Sequence, residues 1–227
     1  MVDVEYSCAS MTLREINVAL RALPDGTTVR ISEPRGCHNL VVGLSNKISV
    51  EIDGNAGYFI GGLCDGPDIT VNGSVGWSVG ENLMAGTVRV KGNASESACA
   101  SSHGGMVIVE GDASSRAGIS LKGGTLCVGG SVGHMSGFMA QAGTIFVGGD
   151  AQGSLGDSLC EAVIYVGGKV SSLGSDTKVE ELTDVDKKTL GELIAITGFD
   201  HVSTDNVTKI VSAKTLYNFD ALKDQKY

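Results

Sequence analysis

Four histidines and six cysteines supply the side chains that most often bind metals or act as nucleophiles and bases. The histidines are His38, His103, His134 and His201. The cysteines are Cys8, Cys37, Cys64, Cys99, Cys127 and Cys160. No two cysteines are two to four residues apart, which is the spacing that zinc and iron–sulfur sites use. We therefore predict no metal site, and reduced cysteines that serve as small apolar residues.

Nucleotide binding and nucleophilic catalysis also lack their usual sequence patterns. No Gly-x-Gly-x-x-Gly segment occurs, and Gly168-Lys169 lacks the upstream glycine that a phosphate-binding loop requires. Cys8 could act as an N-terminal nucleophile only if the seven residues before it were removed. The sequence thus predicts no catalytic residue and no cofactor site in this chain.

Glycine recurs in this chain every nineteen residues, and this repeat organises the sequence. The recurring glycines are Gly54, Gly73, Gly92, Gly111, Gly130, Gly149 and Gly168. Apolar residues stand two and four positions before each glycine, and alanine or valine stands two after it. Agreement at four positions in seven consecutive units identifies a repeat protein. We interpret the glycines as coil corners, where a positive φ or a close neighbouring backbone excludes a side chain.

Within each repeat the apolar positions alternate with other residue types, which is the period of a half-buried β-strand. The remaining residues are too rich in glycine and serine for a helix, so we predict a turn, a second short extended run and another turn. Units of this kind stack with like positions in register. The predicted fold is all-β: a right-handed parallel β-helix of seven Gly-rich coils at residues 48–174, with short helical caps at both ends.

Residues 1–47 precede the repeats and are predicted to form a helix and a lead-in coil. Thr12 and Glu15 have the spacing of a capping box, so we expect a helix to start after Thr12. Thr27–Ile31 and Leu40–Val42 are expected to be short strands. These elements would cover the strand edge at the start of the β-helix.

Residues 175–227 follow the repeats and carry fewer glycines and more charge. Thr183 or Asp184 can cap a helix that ends at Gly198, and Val207–Val211 is expected to form a short strand. The final tail, AKTLYNFDALKDQKY, is too short for a core of its own. It either straps the β-helix or reaches onto another subunit.

The chain is acidic, with a formal net charge of −9, which argues against nucleic acids and anionic membranes as partners. No apolar run approaches the roughly eighteen residues that span a bilayer. The N-terminal sequence lacks the basic and apolar regions of a signal peptide. We therefore expect a cytoplasmic protein.

One outward row of the strands changes from mainly polar to apolar halfway along the repeats. Three positions before the glycine, the row reads Glu51, Thr70, Arg89, Ile108, Cys127, Phe146 and Tyr165. One position before it, the last three units carry Gly129, Gly148 and Gly167. Such an apolar patch marks a contact surface. Two covers remain open: the chain's own C-terminal helix, through Leu190, Leu193 and Ile194, or a neighbouring subunit.

Two classes of function remain: a scaffold or interaction subunit, and an enzyme with its active site on the outside of the β-helix. The second class includes β-helical polysaccharide lyases and hydrolases, which resemble this chain in architecture only. Their coils are longer and irregular, and clustered charged residues lie on one face. Here the coils are uniform and the outward charges do not cluster, so the sequence favours a scaffold.

The nineteen-residue repeat, with glycines at these corners, resembles the GXGXG domain that closes the large subunit of glutamate synthase. The resemblance continues after the repeats, where Leu190–Gly198 is similar to that family's helix and Val207–Val211 to the strand behind it. Glutamate synthase also contains an amidotransferase domain and an FMN barrel, and neither fits beside the repeats in 227 residues. In this respect the chain is more similar to the free-standing GXGXG subunit of N-methylglutamate synthase.

This resemblance implies a non-catalytic structural or assembly subunit that is inactive on its own. Its partners would be an amidotransferase-like subunit and an FMN-binding subunit, which would hold the FMN and the catalytic residues. The complex would convert methylamine and glutamate to N-methylglutamate and ammonia. Two alternatives stay open: a split glutamate synthase or glutamine amidotransferase complex, and the GXGXG subunit of formylmethanofuran dehydrogenase.

Overall fold

Strands make up most of the regular structure and join into a single sheet. In the computed structural model, which describes residues 2–216, the sheet has eleven strands and the chain has two α-helices. The strands are β1 (Val4–Ser7), β2 (Thr28–Ser32), β3 (Ser49–Asp53), β4 (Asp65–Val71), β5 (Ala85–Val90), β6 (Met106–Val109), β7 (Lys122–Val128), β8 (Ala142–Val147), β9 (Val163–Val166), β10 (Thr177–Glu180) and β11 (Thr208–Ser212). The helices are α1 (Leu13–Arg21) and α2 (Asp184–Thr197). Among the helices within residues 2–216, none is both long and apolar enough to cross a membrane. From residue 217 onward, the predicted tail lies outside the described residues.

Strands β1 to β9 pair in chain order, each parallel to the next. From β3 onward, equivalent positions of successive repeats lie side by side, as Val50 does with Ile69 and Val88 with Val107. The chain therefore advances by one strand with every repeat, which confirms the predicted parallel β-helix. We number its coils by the recurring glycines, from coil 1 at Gly54 to coil 7 at Gly168.

The core lies between the inward rows of the strands and a ladder of small residues opposite them. Leu126, Val109 and Val128 of the inward rows are fully buried. The small residues two positions after the glycines meet as single-residue parallel bridges. They are Val75, Ala94, Ala113, Val132, Ala151 and Val170. Alanine and valine on this side leave a narrow interior that aliphatic side chains fill.

The second extended run that the sequence predicts is reduced to the single bridge residue of each coil, and turns follow it. In coil 2, Ser78, Gly80 and Asn82 have φ values of 60°, 66° and 53° and alternate with residues of ordinary φ. The N–H groups of these three residues bond in both directions along the stack. Ser78 donates to Glu96 O of the next coil, and Gly80 to Ile60 O of the previous one. These bonds satisfy the backbone of the turns without a strand, so the second extended run is shorter than predicted.

A ladder of polar side chains runs along the stack, one position after the recurring glycines. Its members are Asn55, Ser74, Asn93, Asp112, Ser131 and Asp150. Each side-chain oxygen accepts a hydrogen bond from the backbone N–H of the equivalent residue in the next coil, at 2.7–3.0 Å. The repeat pattern of apolar residues does not predict this ladder, although the row of short polar residues is visible in the sequence.

The recurring glycines lie directly against this polar ladder. A Cβ on Gly73 would lie 2.6 Å from Asn55 Oδ1, and a Cβ on Gly92 would lie 2.5 Å from Ser74 Oγ. These separations are far inside van der Waals contact, so no side chain fits. Close approach of the preceding coil therefore excludes other residues at these two positions. At Gly54 the reason is the backbone conformation, since its φ of 125° favours glycine.

Helix α1 covers the N-terminal end of the stack. Its capping box is present, because the Thr12 side chain accepts from Glu15 N–H and the Glu15 carboxylate accepts from Thr12 N–H at 2.8 Å. Ile16 and Leu20 are fully buried against the core. Strand β2 confirms the strand predicted at Thr27–Ile31, and β1, which the sequence does not predict, pairs beside it.

Leu40–Val42 is irregular, so the strand predicted there is wrong. Side chains of α1 bind the backbone of this segment instead. Asn17 Nδ2 donates to Asn39 O at 2.8 Å, and Arg21 donates to Val42 O at 2.8 Å. The Val42 carbonyl is therefore already occupied, and Val42 N–H donates to Asn17 Oδ1 at 3.2 Å, so neither group is free to pair with a strand.

The C-terminal segment adds a helix and two strands to the last coil. Thr183 is the N-cap of α2, Asp186 completes a capping box, and Gly198 ends the helix with a φ of 79°. Strand β11 confirms the strand predicted at Val207–Val211. It inserts antiparallel between β9 and β10. The sequence does not predict β10, which lies in a charged stretch.

Filling the space that the polar ladder occupies should destabilise the stack. Gly111→Ala places a Cβ on Asn93 Oδ1 of the preceding coil, and we expect it to lower the free energy of unfolding by about 2 kcal/mol. Asn93→Ala removes the acceptor of the Asp112 N–H and should cost about 1 kcal/mol. Urea denaturation measures both changes.

The double variant Asn93→Ala/Gly111→Ala tests the reason for the glycine. The two side chains compete for one space, so the double variant should lose less stability than the sum of the single losses, by at least about 0.5 kcal/mol. Strictly additive losses would contradict this account of the recurring glycine.

Candidate functional site

The apolar row of the strands is buried beneath residues 182–207 of the same chain. Ile108, Cys127, Phe146 and Tyr165 of the row are 0–4% exposed. They form one cluster with Leu190, Leu193, Phe199, Val202 and Val207, which we call the covered face. Of the two covers that the sequence leaves open, the structure shows the chain's own C-terminal segment. The row is therefore not free for a neighbouring subunit.

The glycines beside this row let the segment after α2 lie close to the strands. A Cβ on Gly129 would lie 3.0 Å from the Phe199 ring, and a Cβ on Gly167 would lie 3.0 Å from Val202 Cγ1. His201 Nε2 lies 3.0 Å from Gly129 O, to which it donates. The sequence predicts the helix as a cover but not these residues, although Phe199 directly follows the glycine that ends α2.

Arg89 marks the end of the covered face. Its guanidinium donates to Ile196 O at 2.9 Å and Thr197 O at 3.2 Å, at the C-terminus of α2. A cation there binds carbonyl groups without partners in the helix and complements the helix dipole. The same guanidinium binds Glu110 at 2.9 Å. The row changes from arginine to isoleucine at Ile108 because the helix ends between these two coils.

A buried polar network around Asp186 fastens the other end of α2. The carboxylate accepts from Tyr165 Oη at 2.5 Å and from Lys209 Nζ at 3.0 Å, besides the Thr183 N–H of the capping box. Glu180 forms a second ion pair with Lys209 at 3.0 Å. Strands β9, β10 and β11 are thus all tied to the first turn of the helix.

Electrostatics hold each group of this network in one charge state. Burial alone would raise the pKa of Asp186, but hydrogen bonds from Thr183, Tyr165 and Lys209 outweigh it and keep that pKa well below its ordinary value. Burial and the hydrogen bond to Asp186 raise the pKa of Tyr165. Asp186 therefore stays ionised and Tyr165 stays protonated near neutral pH, and the network suits fastening.

The histidines and the most buried cysteines do not come together as a metal site. Within residues 2–216, no group of three or more His, Cys, Asp or Glu side chains could hold an ion. Burial raises the pKa of the Cys99 thiol to about 12, and burial does the same for Cys127. These two thiols are therefore poor nucleophiles.

An exposed aromatic surface lies beside coils 1 and 2. Tyr58 is 43% exposed, and Trp77, the single tryptophan, is 60% exposed. The His38 ring stacks on Tyr58 with centroids 3.9 Å apart, and its Nδ1 accepts from Tyr58 N–H at 3.1 Å. Asn39 and Phe59 line the same groove. We call these five residues the aromatic surface.

Carboxylate residues border the aromatic surface. Ser78 N–H donates to Glu96 O at 2.9 Å, which places Glu96 next to Trp77 along the stack. Glu81 N–H donates to Ser78 O at 3.3 Å, and Ser78 lines the same groove as Trp77. Exposed aromatic groups are typical of protein–protein contacts, and neighbouring carboxylates favour basic partners. In the sequence, this surface is indicated by Tyr58 and Trp77, which occupy the same outward position in two successive repeats.

A charged side chain in the covered face should destabilise the fold. Phe146→Glu buries a carboxylate without a partner between β8 and α2, and we expect a loss of about 4 kcal/mol in the isolated chain. Thr70→Glu is the matched control, since it changes the same row outside the cover, where it should alter stability by less than about 0.5 kcal/mol. Equal stability of both variants in chemical denaturation would show that residues 182–207 do not cover this face.

The Asp186 network should make stability depend on acid pH. Because the folded chain lowers the pKa of Asp186, its ionised form stabilises the fold above the unfolded pKa of about 4. That contribution disappears as the pH falls through the lower folded pKa. Asp186→Asn should therefore cost about 2–3 kcal/mol at pH 7 and lose less stability than wild type below pH 4.

Melting curves between pH 2 and pH 7 measure this difference. The control Asp68→Asn changes an exposed carboxylate and should follow the wild-type curve. If Asp186→Asn kept the full wild-type slope below pH 4, the network would not be the source of the acid sensitivity.

Comparisons with known proteins give a local similarity. No protein-family model matches the chain. A stretch of 61 residues is 40% identical to Protein GlxC of Rhizobium meliloti (strain 1021). The match spans 26% of this chain and 27% of that protein, so the two chains are close in length and match over about a quarter of it. This chain is therefore similar in part to Protein GlxC.

Proposed function

We propose that this chain is a non-catalytic structural subunit of a glutamate-synthase-like enzyme, and specifically of N-methylglutamate synthase. The proposal rests above all on the nineteen-residue glycine repeat followed by α2 and β11, which resembles the GXGXG segment of that family. The local similarity to Protein GlxC agrees with a subunit of this size and kind.

The mechanical properties of the stack suit a scaffold. Successive coils are joined through the strands, through the polar ladder and through the N–H groups of the turns. Few backbone groups remain to rearrange, so the distance between two bound partners would stay fixed. An enzyme that transfers a small amine or ammonia between two subunits needs such a fixed distance.

In the proposed assembly, an amidotransferase-like subunit and an FMN-binding subunit contribute the chemistry. FMN and the catalytic residues belong to those partners, and the complex works in the cytoplasm. The covered face is occupied within the chain, so the partners dock elsewhere. We assign one docking position to the aromatic surface, where the acidic border of Glu81 and Glu96 favours a partner with exposed arginine or lysine.

Co-expression with the proteins encoded by neighbouring reading frames tests the assembly. We expect a tagged form of this chain to co-purify with two partners, to carry FMN absorbance only when the FMN-binding partner is present, and to convert methylamine and glutamate to N-methylglutamate. Glutamine-dependent glutamate formation would indicate a split glutamate synthase instead. A molybdopterin-containing partner would indicate formylmethanofuran dehydrogenase, and a yellow isolated chain would contradict the proposal.

Trp77→Glu tests the docking position in the same complex. We expect at least about a tenfold loss of partner recovery, because an exposed tryptophan at the centre of a contact contributes strongly to binding. Melting of the isolated variant should be unchanged, since Trp77 is exposed. Ser115→Glu is the matched control at the equivalent position of coil 4 and should assemble normally. Full assembly of Trp77→Glu would remove the aromatic surface from the proposal but leave the subunit role intact.

A further inference from the structure

The sheet ends at β10 with one edge unpaired. Strand β10 pairs with β11 on one side, and within residues 2–216 no strand pairs with its other side. Ala213 N–H donates to Asp176 O at 2.8 Å, which fixes the alternation of this antiparallel ladder. By this alternation the N–H and C=O groups of Thr177 and Val179 point away from β11. Such an edge is a template for another strand.

The inward row of the sheet also ends on an exposed apolar side chain. Val179 lies opposite Ile210 of β11, so both side chains point to the core side of the sheet. Ile210 is fully buried, but Val179 is 59% exposed. Helix α1 covers the core at the N-terminal end, whereas α2 lies on the outward face of the strands. The last inward side chain of the described sheet is therefore left to the solvent.

A polar clamp brings the chain back to this open edge. The Asp176 carboxylate, directly before β10, accepts from Thr215 N–H at 2.7 Å and from Leu216 N–H at 3.0 Å. The Thr215 hydroxyl donates to the same carboxylate. Hydrogen bonds from Thr215 lower the pKa of Asp176, so the carboxylate is ionised and accepts these bonds near neutral pH. The described chain thus ends beside the start of β10.

We propose that residues 217–222 pair along the free edge of β10, parallel to it, and cover Val179 with Tyr217 and Phe219. The direction follows from the clamp, because a segment that begins at the start of β10 and follows its edge runs the same way. This inference does not depend on the proposed function, since it requires no partner protein.

The sequence of this segment suits the edge that it would cover. The apolar residues Tyr217, Phe219 and Ala221 alternate with the polar residues Asn218 and Asp220, which is the period of a strand with one apolar face. Six extended residues span about 20 Å, whereas a strand of the length of β10 spans about 13 Å. The segment can therefore run along the whole edge.

A second copy of this chain is the other strand donor that the edge could accept. Strand β10 runs in the same direction as β1, and β1 pairs only with β2 within the described sheet. The tethered segment has the advantage, because its effective concentration at the edge is on the order of millimolar. Its pairing would also prevent two stacks from joining end to end through their sheets.

Amide hydrogen exchange of the full chain, followed residue by residue by NMR, tests the proposal. Val179 N–H points away from β11, so its protection reports on a strand at the free edge. We expect protection of at least about a hundredfold that does not change on dilution. Phe219→Asp should speed this exchange at least about tenfold, while the Ile210 amide keeps its rate. Gln225→Asp is the matched control, since it adds the same charge outside residues 217–222.

A second variant separates loss of the pairing from a general loss of folding. Phe219→Ala removes the ring without adding a charge and should change the Val179 rate in the same direction. Exchange of Val179 in the wild-type chain at the rate of an unprotected amide would overturn the proposal. Protection that disappears on dilution would also overturn it and would assign the edge to a second copy. Protection that both Phe219 variants leave unchanged would show that another segment covers β10.

Discussion

The contact between each recurring glycine and the polar side chain of the preceding coil sets the register of the whole stack. Asn93 accepts from Asp112 N–H, and its Oδ1 occupies the space that a Cβ on Gly111 would need. The Asn93 side chain therefore excludes a side chain at Gly111 and binds the backbone of the next residue, Asp112. Because this happens once per coil, a shift by one residue would break every such contact together. The strands can then carry simple aliphatic rows, since register does not depend on them alone.

The two ends of the stack use different ways to finish a repeated structure. At the N-terminal end, α1 lies across irregular chain and binds its carbonyl groups through Asn17 and Arg21. At the C-terminal end, β11 inserts beside β9, and α2 returns along the outer face until Arg89 binds its last carbonyl groups. The outer face is thereby divided into a charged half and a covered half. The covered half is occupied by α2 and the residues after it, whereas the aromatic surface is exposed.

Most of the fold could be read from the sequence because the repeat states the same information seven times. The capping box at Thr12 was equally readable, since it depends on residues three apart, whereas the sequence left the cap of α2 open between Thr183 and Asp184. The turns were not, because their alternating φ values occur at ordinary residues such as Ser78. Strand β10 was hidden because its partner β11 comes from beyond α2.

The candidate sites follow the same division. The apolar row was visible in the sequence. Its cover was ambiguous, because the sequence does not say whether the C-terminal helix or a neighbouring subunit packs on it. The stacking of His38 on Tyr58 joins a residue of the irregular lead-in segment to a residue of coil 1. No periodic rule connects such positions. They depend on the path of the irregular lead-in segment, which only the three-dimensional structure gives.

The dependence of the covered face on residues 182–207 has a consequence for synthesis on the ribosome. Each coil contacts the one before it, so the stack can grow from its N-terminal end while the nascent chain emerges. The cover, however, is translated only after all seven coils. Until then Ile108, Phe146 and Tyr165 face water on an elongating sheet, in a cell crowded with other nascent chains. The interval between making the last coil and making α2 is therefore the time of greatest risk of aggregation, and a chain that stops before α2 would keep that risk permanently.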